Sequence, residues 1–225
     1  MTTPLTIDVE GQGRTTGLVY PSRGAPAHVT FVLAHGAGAG QQSAFITGFA
    51  QGLSERGLDV LTFNFLYTEQ GRRVPDRTEK LDACYRAAVA AARRHFGTSA
   101  VFIGGKSMGG RIATHLAAAE NADDLGIHGV VALGYPLHPP GKPQQLRAVH
   151  LARIRMPVLI VQGERDPFGT PDELRPVLAA VSAEVTLHVV GNGDHSLAPS
   201  RRADAVASTY VEIQDVIVNW IRGQR

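Results

Sequence analysis

Short apolar runs alternate along the chain with longer amphipathic stretches. The apolar runs are aliphatic and β-branched with little polar alternation, as in parallel strands covered on both faces. We predict strands at Leu5–Glu10, His28–Ala34, Asp59–Phe63, Ala100–Gly104, Gly129–Leu133, Val158–Gln162 and Glu184–Val190. The amphipathic stretches predict helices at Ser43–Arg56, Thr78–Phe96, Met108–Glu120, Pro171–Val181 and Ala203–Arg222. This alternation predicts one α/β domain over residues 1–225, with a mostly parallel central sheet and helices on both faces.

Two segments have neither periodicity and are predicted to be irregular. They are Tyr67–Arg77 and Tyr135–Pro143, the second of which reads Y-P-L-H-P-P-G-K-P. Loops at strand ends are the usual place for binding residues in α/β folds. We therefore expect both segments to lie near a functional site.

Composition excludes several classes of protein. The 225 residues are 44% hydrophobic and 19% charged, which is ordinary for one globular domain with a sizeable core. The formal net charge is only +2 and the basic residues are scattered, so no nucleic-acid partner is expected. Three arginine pairs are interpreted as solvated faces and helix-end charges: Arg72-Arg73, Arg93-Arg94 and Arg201-Arg202.

The cellular location is predicted from features that the chain lacks. Its N-terminus has no basic segment followed by an apolar run, so no secretory signal is expected. No apolar run approaches the roughly 20 residues of a membrane helix. The single cysteine, Cys84, cannot form an internal disulfide and suits a reducing compartment. These features predict a soluble, cytoplasmic protein that does not bind a membrane.

Two glycine-rich segments resemble nucleotide-binding motifs but fail their requirements. Residues 35–40 read H-G-A-G-A-G after a predicted strand, yet a dinucleotide-binding turn needs its third glycine where Gln41 stands. Gly104-Gly105-Lys106-Ser107 resembles the end of a phosphate-binding loop, which needs a glycine at position 100, where the chain has Ala100. Neither segment therefore indicates a bound nucleotide.

The second of these segments overlaps a better match. Gly105-Lys106-Ser107-Met108-Gly109 fits G-x-S-x-G directly after an apolar strand and directly before a helical stretch. This is the setting of a nucleophile elbow, a turn so sharp that only small residues fit on both sides of the serine. It exposes the serine hydroxyl at a helix N-terminus, where the helix dipole favours negative charge. We predict that Ser107 is a nucleophile; the alternative is an ordinary glycine-rich turn.

A serine nucleophile needs a base, and the base needs an orienting carboxylate. Asp166 and His195 each lie just past the carboxyl end of a predicted strand, where the ends of parallel strands converge. The sequence therefore predicts Ser107, Asp166 and His195 as catalytic residues. Glu164 and Asp194 are alternative acids, and Asp166 taken singly could be a turn cap, as His195 could be a polar loop residue.

The oxyanion of an acyl-transfer intermediate needs backbone N–H donors. One is expected from Met108, which follows the nucleophile. The other is expected from Ala37 in the glycine-rich turn, with Gly36 or Gly38 as alternatives. Small residues in that turn would let the backbone approach a substrate closely.

Five motifs together resemble a known family. They are H-G-A-G-A-G, G-G-K-S-M-G-G-R, Y-P-L-H-P-P-G-K-P, Q-G-E-R-D-P-F-G and G-x-G-D-H-S. The chain resembles the α/β-hydrolase superfamily, and within it the small lidless group of dienelactone-hydrolase-like bacterial proteins. This group is related to vertebrate testis-expressed hydrolase-like proteins and to the hydrolase-like domain of a histone-acetyltransferase complex subunit. The resemblance implies an α/β-hydrolase fold without a lid domain and the triad Ser107, Asp166 and His195. Dienelactone hydrolases use a cysteine nucleophile, whereas this chain has Ser107.

The resulting hypothesis is a serine hydrolase that cleaves small carboxylic esters or thioesters through an acyl-enzyme. Neither a metal nor an organic cofactor is expected, and the expected partner is a small-molecule substrate. The predicted substrate pocket consists of Gly36, Gly38, Phe65, Tyr135, His138 and Phe168. Thioesterase, small-peptide hydrolase and perhydrolase activities stay open within the fold, and a binding or regulatory module without catalysis is the rival from another class.

Overall fold

The computed structural model describes residues 2–97 and 100–224. Within this part of the chain, eight strands form one central sheet. They are β1 (Thr3–Val9), β2 (Gly13–Tyr20), β3 (Val29–Ala34), β4 (Asp59–Phe63), β5 (Ala100–Lys106), β6 (Ile127–Leu133), β7 (Val158–Gly163) and β8 (Val185–Val190). Their order across the sheet is β1-β2-β4-β3-β5-β6-β7-β8. β2 is antiparallel to both of its neighbours, and the other pairs are parallel.

Helices cover both faces of the sheet. They are α1 (Ala44–Glu55), α2 (Leu66–Glu69), α3 (Thr78–Phe96), α4 (Met108–Ala117), α5 (Pro171–Leu178) and α6 (Ala203–Gly223). α1 and α6 bury their apolar sides in one hydrophobic core, whereas α3, α4 and α5 contribute to a second core on the opposite face. The predicted α/β fold with a mostly parallel sheet is therefore confirmed. The predicted domain of residues 1–225 also includes residues 1, 98, 99 and 225, which lie outside the described residues.

The seven predicted strands are all present, but the sequence pattern missed β2. The inward-facing positions of this strand include Thr15 and Gly17, so the alternation of apolar and polar residues is hidden. A Cβ atom at Gly17 would lie 3.0 Å from the side chains of Ile7 and of Leu61. β2 thus lies between β1 and β4, although its sequence lacks the apolar alternation that predicts a strand.

Most other boundaries differ from the prediction by no more than two residues, and three larger differences concern helices. α4 ends at Ala117 and α5 ends at Leu178, each three residues earlier than expected. The predicted irregular segment Tyr67–Arg77 begins inside α2, because Thr68 and Glu69 donate backbone hydrogen bonds to Phe65. A helix of four residues is too short to produce a periodic hydrophobic signal.

The strand order places a crevice at one point of the sheet edge. β4 lies on one side of β3 and β5 on the other, so the connections after β3 and after β5 lead in opposite directions. In open α/β sheets ligands bind at such a reversal, outside the carboxyl ends of the strands. The ends of β3 and β5 meet there, with Ala34 paired to Gly105. Ser107 follows directly.

The connection between β6 and β7 is short and mostly irregular. In residues 134–157 the structure has a single 3₁₀ turn, Leu151–Arg153, so no lid domain is inserted there. The predicted irregular segment Tyr135–Pro143 belongs to this connection. Among the residues described, no helix has the length and apolar character needed to cross a membrane.

Candidate active site

Ser107 occupies a strained turn between β5 and α4. Its backbone has φ +50° and ψ −114°, a conformation that non-glycine residues rarely adopt and that costs on the order of 1–3 kcal/mol. The surrounding structure holds it there: the Ser107 N–H donates to the carbonyl of Leu133 at 2.9 Å, and the Ser107 carbonyl accepts from the N–H of Arg111. The side chain is therefore presented at the N-terminus of α4.

Glycines on both sides of Ser107 make this turn possible. A Cβ atom at Gly105 would lie 2.5 Å from the carbonyl oxygen of Ala34, and one at Gly109 would lie 2.6 Å from the same oxygen. Gly109 would also meet the carbonyl oxygen of His35 at 2.7 Å. These neighbours are backbone atoms, which no side-chain rotation can move away. Both positions require glycine, as the sequence predicted.

The structure brings the three predicted catalytic residues into one hydrogen-bonded chain. His195 Nε2 lies 2.8 Å from Ser107 Oγ, and His195 Nδ1 lies 2.8 Å from Asp166 Oδ2. With the proton on Nδ1, the imidazole donates to the carboxylate and accepts from the serine hydroxyl. The three side chains come from the loops after β5, β7 and β8, which meet at the same edge of the sheet.

Asp166 is the acid of this arrangement, and its carboxylate is fixed by two further donors. Gln162 Nε2 donates to Oδ2 at 3.0 Å, and the backbone N–H of Phe168 donates to Oδ1 at 2.8 Å. Asp166 is only 1% exposed, so these bonds are needed to compensate a buried charge. Gln162 was not singled out from the sequence, although it lies four residues before Asp166.

The two alternative acids have other roles. Glu164 Oε2 accepts from the backbone N–H of Asn192 at 2.7 Å. Asp194 Oδ1 accepts from the backbone N–H groups of Ser196 and Ala198 at 2.7 and 3.1 Å. Asp194 therefore closes the turn that carries His195, while the bond to the imidazole comes from Asp166.

Lys106 forms a hydrogen bond with the loop that carries His195, and the sequence analysis did not identify it. Its Nζ donates to the carbonyl oxygen of His195 at 2.5 Å and lies 5.8 Å from the ring centre of Phe45. Burial lowers the pKa of Lys106 from 10.5 to about 8, although Asp166 and Asp194 act in the opposite direction. The unfolded chain binds this proton more tightly than the folded chain, so the charge costs folding free energy at neutral pH. That cost disappears as the pH rises from about 8 toward 10.5.

For the ester hydrolysis that the sequence predicts, we expect Lys106→Met to reduce kcat about ten-fold without lowering Tm at pH 7. The methionine removes the donor that positions His195, and it also removes the cost of burying an ammonium. Steady-state assays measure the change in kcat, and a thermal melt measures any change in Tm. Lys80→Met removes the same charge from an exposed site on α3 and should change neither quantity. Equal kcat in the Lys106 variant and the wild type would mean that the His195 loop needs no such support.

A buried histidine shapes the glycine-rich turn. His35 Nδ1 donates to the carbonyl of Gly36 at 2.8 Å, and His35 Nε2 accepts from the backbone N–H of Phe65 at 3.1 Å. Burial lowers the pKa of His35, so it remains a neutral link between the loops after β3 and β4. The turn is closed by the N–H of Ala39 bonding to Gly36, and Gly38 supplies the required left-handed backbone at φ +72°.

Two clefts open on either side of Ser107, and Ala37, Ser107 and His195 line both. The larger cleft has a volume of about 520 Å³ and the smaller one about 300 Å³. Met108 and Phe168 belong to the wall of the larger cleft, and the Phe168 ring lies 4.2 Å from the His195 ring. Gly36 lines the smaller cleft together with Phe45, Ile46, Lys106 and Tyr210.

Four predicted pocket residues lie outside both clefts, and two of them are aromatic. Phe65 is fully buried and packs edge-on against His35 with 5.1 Å between ring centres. Tyr135 is also fully buried, and its hydroxyl donates to the carbonyl of Arg147 at 2.7 Å. These two predictions were wrong because an aromatic residue at a strand end completes the core there.

His138 and Gly38 are the other two corrections. His138 is buried, with Nδ1 donating to the carbonyl of Pro139 at 2.9 Å and Nε2 lying 3.3 Å from Glu173 Oε1. It joins its loop to the start of α5. Gly38 is exposed at the tip of its turn and is in the wall of neither cleft.

The larger cleft contains arginines that the sequence analysis did not identify. Arg77, Arg111 and Arg147 line it. Arg111 follows Ser107 by four residues, a spacing that places two side chains on the same face of a helix. That spacing was a signal for Arg111, whereas Arg77 and Arg147 come from distant loops. In residues 2–97 and 100–224, no group of three or more His, Cys, Asp or Glu could hold a metal ion.

Comparisons with known proteins agree with this fold. A family model described as an α/β hydrolase domain matches residues 27–222. The structure is similar to an α/β serine hydrolase homologue from Coxiella burnetii, with a TM-score of 0.76, 19% identity and 96% of each chain covered. It is also similar to a dienelactone hydrolase from Anabaena variabilis, with a TM-score of 0.76, 19% identity and coverage of 98% of this chain and 96% of that one. An α/β serine hydrolase without a lid from Xanthomonas campestris has a TM-score of 0.74, 19% identity and coverage of 98% and 94%. Because the family model spans nearly the whole chain, the protein belongs to the α/β-hydrolase domain family, and it shares its fold with dienelactone-hydrolase-like and lidless serine hydrolases.

Proposed function

We propose that this protein is a serine hydrolase that cleaves small carboxylic esters or thioesters through an acyl-enzyme. The observation that carries the proposal is the hydrogen-bonded chain from Ser107 through His195 to Asp166 at the wall of two clefts. A scaffold used only for binding has no need of a serine in a strained turn with an imidazole held against it.

In the proposed mechanism His195 Nε2 takes the proton of Ser107 as Oγ attacks the substrate carbonyl. Asp166 holds the Nδ1–H tautomer and stabilises the imidazolium that forms. The imidazolium then gives its proton to the leaving alcohol or thiol, and an acyl-Ser107 ester results. A water molecule, deprotonated by the same imidazole, attacks this ester and releases the acid.

The oxyanion of each tetrahedral intermediate is assigned to the backbone N–H groups of Met108 and Ala37. The Met108 N–H is the first of α4, where an amide has no partner within the helix. Ala37 lines both clefts beside Ser107. The helix dipole of α4 adds to the stabilisation of negative charge at this position.

The two clefts divide the substrate into two parts. The smaller cleft has apolar walls from Phe45, Ile46 and Tyr210, and its volume of about 300 Å³ suits a short acyl chain. The larger cleft contains the three arginines and one carboxylate, Asp76, which pairs with Arg72, and it suits a more polar leaving group. A small acyl group on an alcohol or thiol therefore fits better than a long lipid chain.

The test is covalent labelling of Ser107 with a fluorophosphonate, in which the serine oxygen bonds to phosphorus and fluoride leaves. We expect wild type to gain one adduct by intact-mass spectrometry and to hydrolyse 4-nitrophenyl acetate and butyrate. Ser107→Ala should do neither. Ser182→Ala, which changes an exposed serine away from the clefts, should behave as wild type.

Folded wild-type protein that neither labels nor turns over an ester would overturn the proposal. The remaining function would then be that of a non-catalytic binding module built on the same fold. Circular dichroism of each variant establishes that a negative result does not come from unfolding.

A further inference from the structure

Besides the two clefts at Ser107, a further cavity of about 290 Å³ lies beside the larger cleft and shares two arginines with it. Arg111 and Arg147 stand in the walls of both. The cavity is completed by other basic residues and a few apolar ones, and we call it the basic pocket: Arg111, His115, Arg147, His150, Arg153 and the stretch Leu146–Val149. A molecule bound at Ser107 can therefore extend past Arg111 and Arg147 into the basic pocket.

The charged residues in the wall of the basic pocket are all basic. No Asp or Glu lines it, and within the described residues none of its three arginines forms an ion pair. The carboxylate that attracts Arg111 is that of Asp82, which is in the wall of neither cavity. The walls of the basic pocket thus contain three arginines and no carboxylate, while Asp82 acts on Arg111 from outside.

Two histidines report this positive field. Burial and the nearby Arg111 and Arg153 lower the pKa of His115 to about 4. Burial, His115 and the same two arginines lower the pKa of His150 to about 3. Both rings are therefore neutral at pH 7, and they stack with 3.7 Å between centres and 12° between planes.

Hydrogen bonds fix one ring and one backbone segment of the basic pocket. The hydroxyl of Thr114 lies 2.9 Å from His150 Nε2. The backbone of Arg147 is fixed at both polar atoms, since its N–H donates to Leu137 at 2.7 Å and its carbonyl accepts from the Tyr135 hydroxyl at 2.7 Å. The buried Tyr135 thus fixes the backbone that carries the Arg147 side chain.

The distance between the basic pocket and Ser107 follows from the geometry of α4, which contains Arg111 and His115. Arg111 and His115 follow Ser107 by four and eight residues, which corresponds to about 6 and 12 Å along the helix axis. A charged group in the basic pocket would accordingly lie about 10 Å from the carbonyl under attack. That separation requires an extended leaving group.

We propose that the basic pocket binds a phosphate group on the leaving-group side of the substrate, so that the enzyme hydrolyses phosphate-bearing esters or thioesters. This rests on the proposed function for the choice of reaction, but not for the binding itself. Arginine forks match phosphate oxygens in pairs, and a dianionic phosphate offsets more of the three positive charges than a single carboxylate does. The two neutral, stacked histidines provide a flat wall beside the arginines.

The first experiment tests binding without catalysis. Ser107→Ala is titrated with inorganic phosphate at pH 7, and the imidazole C–H resonances of His115 and His150 are followed by NMR, with sodium chloride of equal ionic strength as the control. We expect both resonances to move with phosphate only. In Arg153→Gln and in Arg147→Gln, each made on the same background, the Kd for phosphate should rise about ten-fold or more. Absence of any phosphate-specific movement would overturn the proposal, whatever the enzyme's activity.

The second experiment tests substrate choice with S-acetylpantetheine and its 4′-phosphate, which differ only in the phosphate. We expect kcat/KM of wild type to be about ten-fold or more higher for the phosphorylated thioester, and Arg153→Gln to bring this ratio close to one. Arg155→Gln is the matched control, because it removes an exposed arginine two residues away that pairs with Asp123 and lies outside the basic pocket. It should keep the wild-type ratio.

Each other outcome of the second experiment is decisive. Equal rates on the two thioesters would overturn the assignment to phosphate, and so would an unchanged ratio in both the Arg153 and the Arg147 variants. A preference seen instead for 4-nitrophenyl glutarate over 4-nitrophenyl butyrate would replace phosphate by a carboxylate on the acyl side. If no ester or thioester is hydrolysed, the proposed function fails while the phosphate titration still decides the binding proposal.

Discussion

His195→Ala is expected to lower kcat for ester hydrolysis by about 10⁵-fold, equivalent to about 7 kcal/mol of transition-state stabilisation. The imidazole is the group within 2.8 Å of Ser107 Oγ that can accept its proton. Without it, attack requires a neutral hydroxyl and the leaving group departs unprotonated. Rates should be measured as single turnovers with 4-nitrophenyl acetate, so that slow deacylation does not hide the loss in the acylation step.

The control for this variant is His128→Ala. His128 is exposed at the start of β6, at the opposite edge of the sheet from Ser107. Its removal should leave kcat within two-fold of wild type. If His195→Ala retained a tenth of the wild-type rate, another group would have to serve as the base, and the assigned mechanism would be wrong.

Asp166→Asn should lower kcat less than His195→Ala does, because an asparagine can keep some of the hydrogen bonds that Asp166 accepts. Two donors, His195 Nδ1 and Gln162 Nε2, converge on Oδ2, and one donor, the Phe168 N–H, meets Oδ1. The asparagine amide satisfies most donors by placing its oxygen at the Oδ2 position. This orientation keeps the bond to His195 Nδ1 but sets the asparagine NH2 against the Phe168 N–H, and it removes the negative charge that stabilises the imidazolium.

Gly109→Ala is expected to destabilise the folded protein by about 3 kcal/mol or more, because its Cβ atom cannot be accommodated without moving backbone. The atom would lie 2.6 Å from the carbonyl oxygen of Ala34 and 2.7 Å from that of His35. Relief would require α4 to move away from β3, which would also displace Ser107. Chemical denaturation monitored by circular dichroism measures the change in the free energy of unfolding.

Gly48→Ala is the comparison for this stability measurement. Gly48 is an exposed residue in the middle of α1, and a Cβ atom there meets nothing within 4 Å. The substitution should stabilise the protein by roughly 0.5–1 kcal/mol, because alanine has the higher helix propensity. A loss of stability below about 1 kcal/mol in Gly109→Ala would show that the turn can relax, and the steric account of the elbow would then be incorrect.

The sequence alone determined the alternation of strands and helices and the order of the key side chains along the chain. Long apolar runs such as β7 and the regular amphipathic pattern of α3 are local signals that do not depend on distant contacts. Ser107 was identified because the sharp turn needs a glycine on each side of the nucleophile, and this requirement is visible in the local sequence. Asp166 and His195 were identified because each follows a strand, and parallel strands bring their carboxyl ends together.

The tertiary structure alone decided which polar side chains meet and which aromatic residues are buried. Asp166, rather than Glu164 or Asp194, faces His195 because the alternatives are already bonded to backbone amides of their own loops. Burial of Phe65 and Tyr135 depends on how much space two packed layers leave, a quantity that no local pattern contains.

The grouping of Arg77, Arg111 and Arg147 in one cleft likewise arises from three segments that are distant in sequence. In the sequence these three arginines are far apart, and the net charge of the whole protein is only +2. Folding places them together, and the one carboxylate in the lining of that cleft, Asp76, pairs with Arg72. The identity of the nucleophile is thus a local property of the sequence, whereas the charge of the surface that receives its substrate is a property of the folded chain.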